Sequence, residues 1–262
     1  MQKISNESGD FIEFRDTPWD MRSLGLSAIE VLNFQYATET GLAELFELLD
    51  EYCGAHHVDL AYLRIAATDK LAKKMLNRSG YEFIETSIKV VNPNIQKTSF
   101  EIKIPPRFEL HPLVADDIPQ IVEIARDAFN FSRFHEDYNI GEVAARQRYA
   151  GWIGDLVAQH KNFLVYKAGG EVKSFLVYDE IAEKTISLIL AGSEKSQGYL
   201  SPFFWSSFLA KLKGAGERRI EAVISAANIS VINLYTQFGF KVEMTYFGFH
   251  KYFPGSGGKS VL

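Results

Sequence analysis

Two short stretches of the sequence combine residue types that could do chemistry. In NISVINLYTQFGF, Asn228 stands seven residues before Tyr235, and Gly239 follows four residues later. In KSQGYLS, residues 195–201, Gly198 precedes an aromatic-rich run that starts at Pro202 and reads as a helix. Taken alone the stretch reads first as an ordinary loop entering a helix, a place that can also hold a dianion. The first backbone N–H groups of a helix lack partners, its dipole is positive there, and glycine lets the chain close on a ligand. A third stretch, SRFHEDY, gathers Arg133, His135, Asp137 and Tyr138. Metal chemistry finds no support: His56 and His57 are adjacent and would point apart on a helix, and no Cys/His pair has ligand spacing.

The rest of the composition narrows the setting. The chain has 262 residues, 47% apolar and 23% charged, enough to bury a core and hold one large domain or two modest ones. A net charge of −5 argues against a nucleic-acid surface. The longest basic cluster, Lys70, Lys73, Lys74 and Arg78, recurs at helical spacing and reads as a solvated face. No apolar run approaches the ~20 residues needed to span a bilayer. The start, MQKISNESGDFIEF, lacks a secretory pattern, and Cys53 has no partner cysteine. These features together predict a cytoplasmic protein without a membrane segment.

Periodicity then supplies the elements that must position those residues. Leu42, Leu45, Phe46 and Leu49 form one stripe of a helix over 39–53. A strand over 58–66, a helix capped by Asp69 and stopped at Gly80, and a strand ETSIKVV follow. Turn formers over 92–106 mark a join. Beyond it come a short strand RFELHPL, helices over DDIPQIVEIARDAF and 141–160, and strands NFLVYKA, EVKSFLVYDE and TISLILAG. Gly169 and Gly170 separate the first two of these strands as a hairpin. A helix from Pro202, a strand RRIEAVISAA, the helix carrying Tyr235 and a final β pair in KVEMTYFGFHKYF complete the order. Phe203, Phe204, Trp205 and Phe208 read as core. Mixed order of this kind argues for an α/β sheet covered by helices.

The two halves share a segment. With Gly80 placed on Gly239, Tyr81 falls on Phe240, Leu76 on Tyr235, Met75 on Leu234 and Asp69 on Asn228. Both copies read strand, cap, helix, glycine, aromatic, strand. They differ where chemistry would sit, since the first has Leu76 in place of the tyrosine.

The pattern N-x6-Y-x3-G-F resembles the closing helix of the GCN5-related N-acetyltransferases (GNAT). DTPWDMRSLGLSAIEV, SRFHEDYNI with Trp152 beyond it, and FGFHKYF are similar to the branch containing TDP-fucosamine acetyltransferase. The resemblance implies a mixed, mostly antiparallel sheet flanked by helices over 107–253. A partial, degenerate GNAT-like domain over 1–95 precedes it, with a linker at 96–106 and a flexible tail at 254–262. It implies acetyl-CoA or another acyl-CoA as co-substrate, no metal, and direct transfer to a primary amine, best taken as the 4-amino group of a nucleotide-linked dideoxy sugar.

Residue by residue, the resemblance makes Tyr235 the proton donor to the leaving thiolate. Leu190 and Ala191 lie on the strand that pairs with the pantetheine arm and polarises the thioester. Lys195, Ser196, Gln197, Gly198, Tyr199 and Leu200 form the pyrophosphate loop, and Asn228 is a cofactor contact as well as a helix cap. Gly198 takes the glycine position. Lys195 then stands where glutamine or arginine is usual, and Leu200 where a small residue is usual. A register beginning at Gln197 would put Leu200 on the glycine itself. Arg133 and His135 fall on the acceptor side, and Arg133, Arg146 and Arg148 offer charge for a sugar nucleotide. Asp179, Glu180, His135 and His250 are candidates to take the amine proton. The loop departures leave open a module that binds acyl-CoA or a protein without catalysis. The first half reads as a dimerisation or substrate-shaping module, consistent with a homodimer.

Overall fold

The computed structural model describes residues 1–99, 109–195 and 201–253. In chain order the elements are strand β1 (Gln2–Ser5), β2 (Phe11–Asp16), helix α1 (Pro18–Leu24), β3 (Ala28–Gln35), α2 (Glu39–Ala55), β4 (Leu60–Ala66), α3 (Lys70–Arg78) and β5 (Glu82–Asn92). There follow β6 (Leu110–Pro112), α4 (Ile118–Ala128), α5 (Glu142–Ala158), β7 (Asn162–Ala168), β8 (Glu171–Ala182), β9 (Thr185–Ser193), α6 (Ser201–Gly214), β10 (Arg219–Ser225), α7 (Ile229–Gln237) and β11 (Lys241–Tyr252). Contacts group them into two units. The first holds Met1–Ser87, Arg133–Arg148 and the chain from Met244 onward; the second holds Ile88–Ser132 and Tyr149–Glu243. The sequence divides the chain at a linker over 96–106. The contact grouping changes within β5 and β11 and places Arg133–Arg148 with the first unit.

In the first unit the strands run in the order β1-β2-β3-β4-β11-β5, with β3 and β4 parallel and β4 antiparallel to β11. Alternation along each strand sorts side chains to two faces. Ile29, Val31, Ala61, Leu63 and Ile65 pack under α2 and α3 with Leu42, Leu45, Phe46 and Leu76. Ala28, Leu60 and Tyr62 face the other way and meet Leu24, Phe134, Ile140 and Ala145. Residues 133–148 therefore cover one face of this unit's sheet. Helix α2 starts where the Thr38 hydroxyl accepts the Gly41 N–H at 3.0 Å, and α3 where Asp69 accepts that of Ala72 at 2.9 Å.

In the second unit the order from the end of β5 is β10-β9-β8-β7-β6. Leu164, Tyr166, Leu176, Ile186 and Leu188 pack with Phe204, Trp205, Phe208 and Tyr235 of α6 and α7. Phe163, Val165, Phe175 and Val177 pack with Ile121, Ile124, Tyr149 and Ile153 of α4 and α5. Gly169 and Gly170, at φ 62° and 86°, make the β7–β8 hairpin. The aromatic run of α6 is core, as its spacing implies.

One element departs from the sequence reading. KVEMTYFGFHKY is a single twelve-residue strand, not a β pair. Gly248, its only turn former, is there for space: a Cβ on it would lie 2.7 Å from Cγ of Glu85.

Candidate active site

The second unit carries a parting pair of parallel strands. β9 and β10 stay in register for four residue pairs, from Thr185–Arg219 to Leu188–Ala222, and then separate. At that point β9 bulges: Leu188 pairs with Tyr178 and Leu190 with Val177, leaving Ile189 over. The extra residue switches faces. Ile186 and Leu188 lie under α6 and α7, Leu190 turns to α4 and α5, and Ala191 comes back to the α6–α7 side. Beyond Leu188 one edge of β9 faces no strand among the described residues, so its main-chain groups can pair with an extended ligand.

Tyr235 belongs to the same cluster as Ala191. Its ring meets Trp205 edge-on at 5.0 Å and Phe240 at 4.8 Å, and it is 4% exposed. Burial pushes its hydroxyl well above the usual tyrosine range, so it keeps its proton. Asn228 heads α7, where its side-chain oxygen accepts the Val231 N–H at 3.3 Å. Lys195 is exposed, while Ser196, Gln197, Gly198, Tyr199 and Leu200 lie outside the described residues.

The first unit repeats this arrangement. β3 and β4 pair from Ala28–Leu60 to Val31–Leu63 and then part, and β3 bulges at Leu32, between Val31 opposite Phe14 and Asn33 opposite Glu13. Leu32 thus corresponds to Ile189, and Phe34 to Ala191. Asp69 and Asn228 cap matching helices, and Gly80 and Gly239 end them at φ 76° and 75°, the left-handed region that favours glycine. The repeat seen in the sequence extends back through a strand pair that pattern alone did not reveal.

Removing these caps should have measurable and unequal effects. Asn228→Ala is expected to cost about 1 kcal/mol of stability in urea unfolding. Asp69→Ala should cost more, since Asp69 also accepts a hydrogen bond from the Tyr36 hydroxyl at 2.9 Å.

No family model matches the chain. A GCN5-related N-acetyltransferase from Sphaerobacter thermophilus superposes with a TM-score of 0.70 at 12% identity, over 98% of this chain and 82% of that one. The chain has the GNAT fold. A tandem GNAT protein from the clavulanic acid biosynthesis pathway matches with a TM-score of 0.62 at 12% identity, covering 88% of this chain and 77% of that one. By sequence, the spore coat polysaccharide biosynthesis protein SpsD of Bacillus subtilis is 27% identical over 251 residues, 94% of this chain and 84% of its own.

The remaining candidates of this GNAT-fold chain divide between the units. Asp179, ion-paired with Lys161, and exposed Glu180 belong to the second. Arg133, His135, Arg146, Arg148 and His250 belong to the first. There Arg133 donates to Glu30 at 2.8 Å and lies over the Tyr62 ring at 4.4 Å. Arg148 donates to Asp20 at 2.6 Å and lies over Phe134 at 3.8 Å. Each guanidinium is held between a carboxylate and an aromatic face. His250 is fully buried with Nδ1 2.6 Å from Asp137, which also accepts from Tyr252 at 2.7 Å. Burial pushes the His250 imidazole below its ordinary range despite Asp137. His135 is lowered too, by burial and then by Arg146.

Glu30 and Asp20 were invisible as partners of Arg133 and Arg148 because each lies more than 100 residues from that arginine. Burial, the largest influence on Glu30, pushes its carboxyl up. Arg133 and then Arg15 outweigh it and hold the group at about 2, against an ordinary 4.5. A lowered carboxyl stabilises the fold above the unfolded value and loses that contribution as pH falls through the folded one. Stability is therefore expected to decline from about pH 4.5 towards pH 2, with a shallower decline in Glu30→Gln, read from urea midpoints across that range.

Among the described residues no group of three or more His, Cys, Asp or Glu could hold a metal ion, and no helix is long and apolar enough to cross a membrane.

Proposed function

We propose that this chain is an acyl-CoA-dependent N-acyltransferase, acetyl-CoA being the preferred donor, that acts on a primary amine. Its acceptor in this reading is the 4-amino group of a nucleotide-linked dideoxy sugar, attacked directly in a ternary complex. The observation that carries the reading is the parting of β9 from β10 with Ala191 and Tyr235 on one face of it.

The residues present fit an acyl-CoA. The unpaired edge of β9 beyond Leu188 can bind its pantetheine arm, with Leu190 and Ala191 at that edge. In this reading Asn228 is a further cofactor contact, and the stretch Lys195–Leu200, most of it outside the described residues, is the pyrophosphate loop. The group supplies an acyl thioester. Tyr235 holds a proton at Oη that the departing sulfur requires, and burial keeps that proton in place at neutral pH. Cytoplasmic location and the sugar acceptor belong to this reading. The polysaccharide role in the SpsD name supports the acceptor class. Arg133 and His135 are the acceptor-side residues of the proposal, and His135 is the more accessible of the two.

The test is calorimetric titration with acetyl-CoA and free CoA, together with a thiol-release assay over a panel of amines. Micromolar binding and turnover of a 4-amino sugar nucleotide are expected. Binding without turnover of any amine would favour a non-catalytic acyl-CoA module, and no binding of either CoA species would sink the proposal.

A further inference from the structure

We infer that the first unit's copy of the cleft is closed by the chain's own side chains, with the Asp10 carboxylate seated at the start of α2 as an internal stand-in for a phosphate. One acyl-CoA then binds per chain, at the second copy; this last statement rests on the transferase reading above.

Three positions carry the closure. At the helix start, Asp10 is buried and its Oδ1 accepts the Ala37 N–H at 2.9 Å. Its Oδ2 lies 3.4 Å from the Ser8 hydroxyl and 1.9 Å from the point where a Cβ on Gly41 would fall. Gly41 is thus what lets the carboxylate settle against the first turn of α2. The β1–β2 loop is built to deliver it. Asn6 accepts the Asp10 N–H at 3.0 Å and the Ser8 hydroxyl at 2.9 Å, and Gly9 turns the chain at φ 86°. A carboxylate in this place complements the helix dipole as a bound phosphate does.

Within the parting strands, Phe34 stands where the second unit has Ala191. It stacks on Tyr36 at 6.0 Å and meets Phe46 edge-on at 6.1 Å. Across the mouth, the Tyr36 hydroxyl donates to the Asp69 carboxylate, 2.9 and 3.1 Å from its two oxygens. Tyr36 follows β3 and Asp69 follows β4, so this bond ties the two diverging strands together. In the second unit Ser193 occupies the place of Tyr36 and bonds to Ser174 on β8 at 2.8 Å. What remains between β3 and β4 is a cavity of about 180 Å³ lined by Phe34, Tyr36, Arg64 and Asp69 among others.

Titration of the whole chain with CoA should show one site. Thermal unfolding in phosphate and in chloride, at matched ionic strength, should separate the role of Asp10. Asp10→Ala is expected to gain about 2–4 °C more from phosphate than wild type does, because the start of α2 is then open to an anion. Should the alanine variant fail to fold, Asp10→Asn keeps an acceptor for Ala37 while removing the charge, and its phosphate gain should also exceed that of wild type. Two CoA sites per wild-type chain, or an equal phosphate response in wild type and variants, would overturn the inference. Absence of CoA binding would defeat the transferase reading instead, and the phosphate comparison would still decide what Asp10 does.

Discussion

Tyr235→Phe is expected to lower the turnover of thiol release about 100-fold or more, while the affinity for acetyl-CoA changes little. The range follows from what a positioned proton donor usually contributes, about 10²–10⁴-fold. The change removes one oxygen from a ring that is otherwise held by Trp205, Phe240 and the α6–α7 cluster. Packing should therefore survive, and the melting temperature should stay close to that of wild type. That split between rate and stability makes the prediction sharp. A loss of activity matched by a loss of folded protein would point to a structural tyrosine, and an unchanged rate would remove Tyr235 from the mechanism. Burial raises the hydroxyl's pKa, so loss of its proton should put no downturn in the wild-type rate below pH 10.

Asp20→Ala should produce the largest change in stability, about 3–5 kcal/mol in urea unfolding. Asp20 is fully buried and holds two groups at once, Nε of Arg148 at 2.6 Å and the Tyr62 hydroxyl at 2.8 Å. Truncation leaves a mostly buried guanidinium and a buried hydroxyl without their shared acceptor, which costs far more than the net worth of the pair. Asp20→Asn keeps oxygen and size but loses the charge, so an intermediate loss is expected. The double variant Asp20→Ala with Arg148→Met should recover part of the stability, because the guanidinium that lost Asp20 is then gone as well. A double variant less stable than Asp20→Ala would show that the pair is not the source of the effect.

These two residues also mark what could be read from the sequence. The helix that carries Tyr235 was legible because a cap, a helical period and a terminal glycine are local signals, all within twelve residues. The repeat was legible for the same reason, at Asp69–Gly80 and Asn228–Gly239. By contrast β1, β2, α1 and β3 gave no clear pattern. β1 is four residues long, α1 is seven, and the bulge at Leu32 breaks the alternation by which β3 would be recognised. Asp20 and Glu30 lie in that stretch, so their ion pairs with Arg148 and Arg133 could not be read from the sequence. The same bulge hides the likeness of Phe34 to Ala191, which only the pairing register brings out. Gly248 misled in the other direction: its type suggests a turn, but its purpose is room for Glu85.

The strand shared out along β11 has a consequence for synthesis. Residues 246–252 pair with Ala66–Leu60 of β4, and Phe249 completes the cluster under α2 and α3. These residues are made long after β4, so the first unit must wait for them before its sheet can close. At about 5–20 residues per second the wait from residue 87 onward lasts on the order of ten seconds or more. During that time β4 presents an open edge rich in Leu60, Leu63 and Ile65, the kind of surface that chaperones guard and that aggregates when expressed as a fragment. The order of birth of the two halves is thus the reverse of the order in which they can be finished.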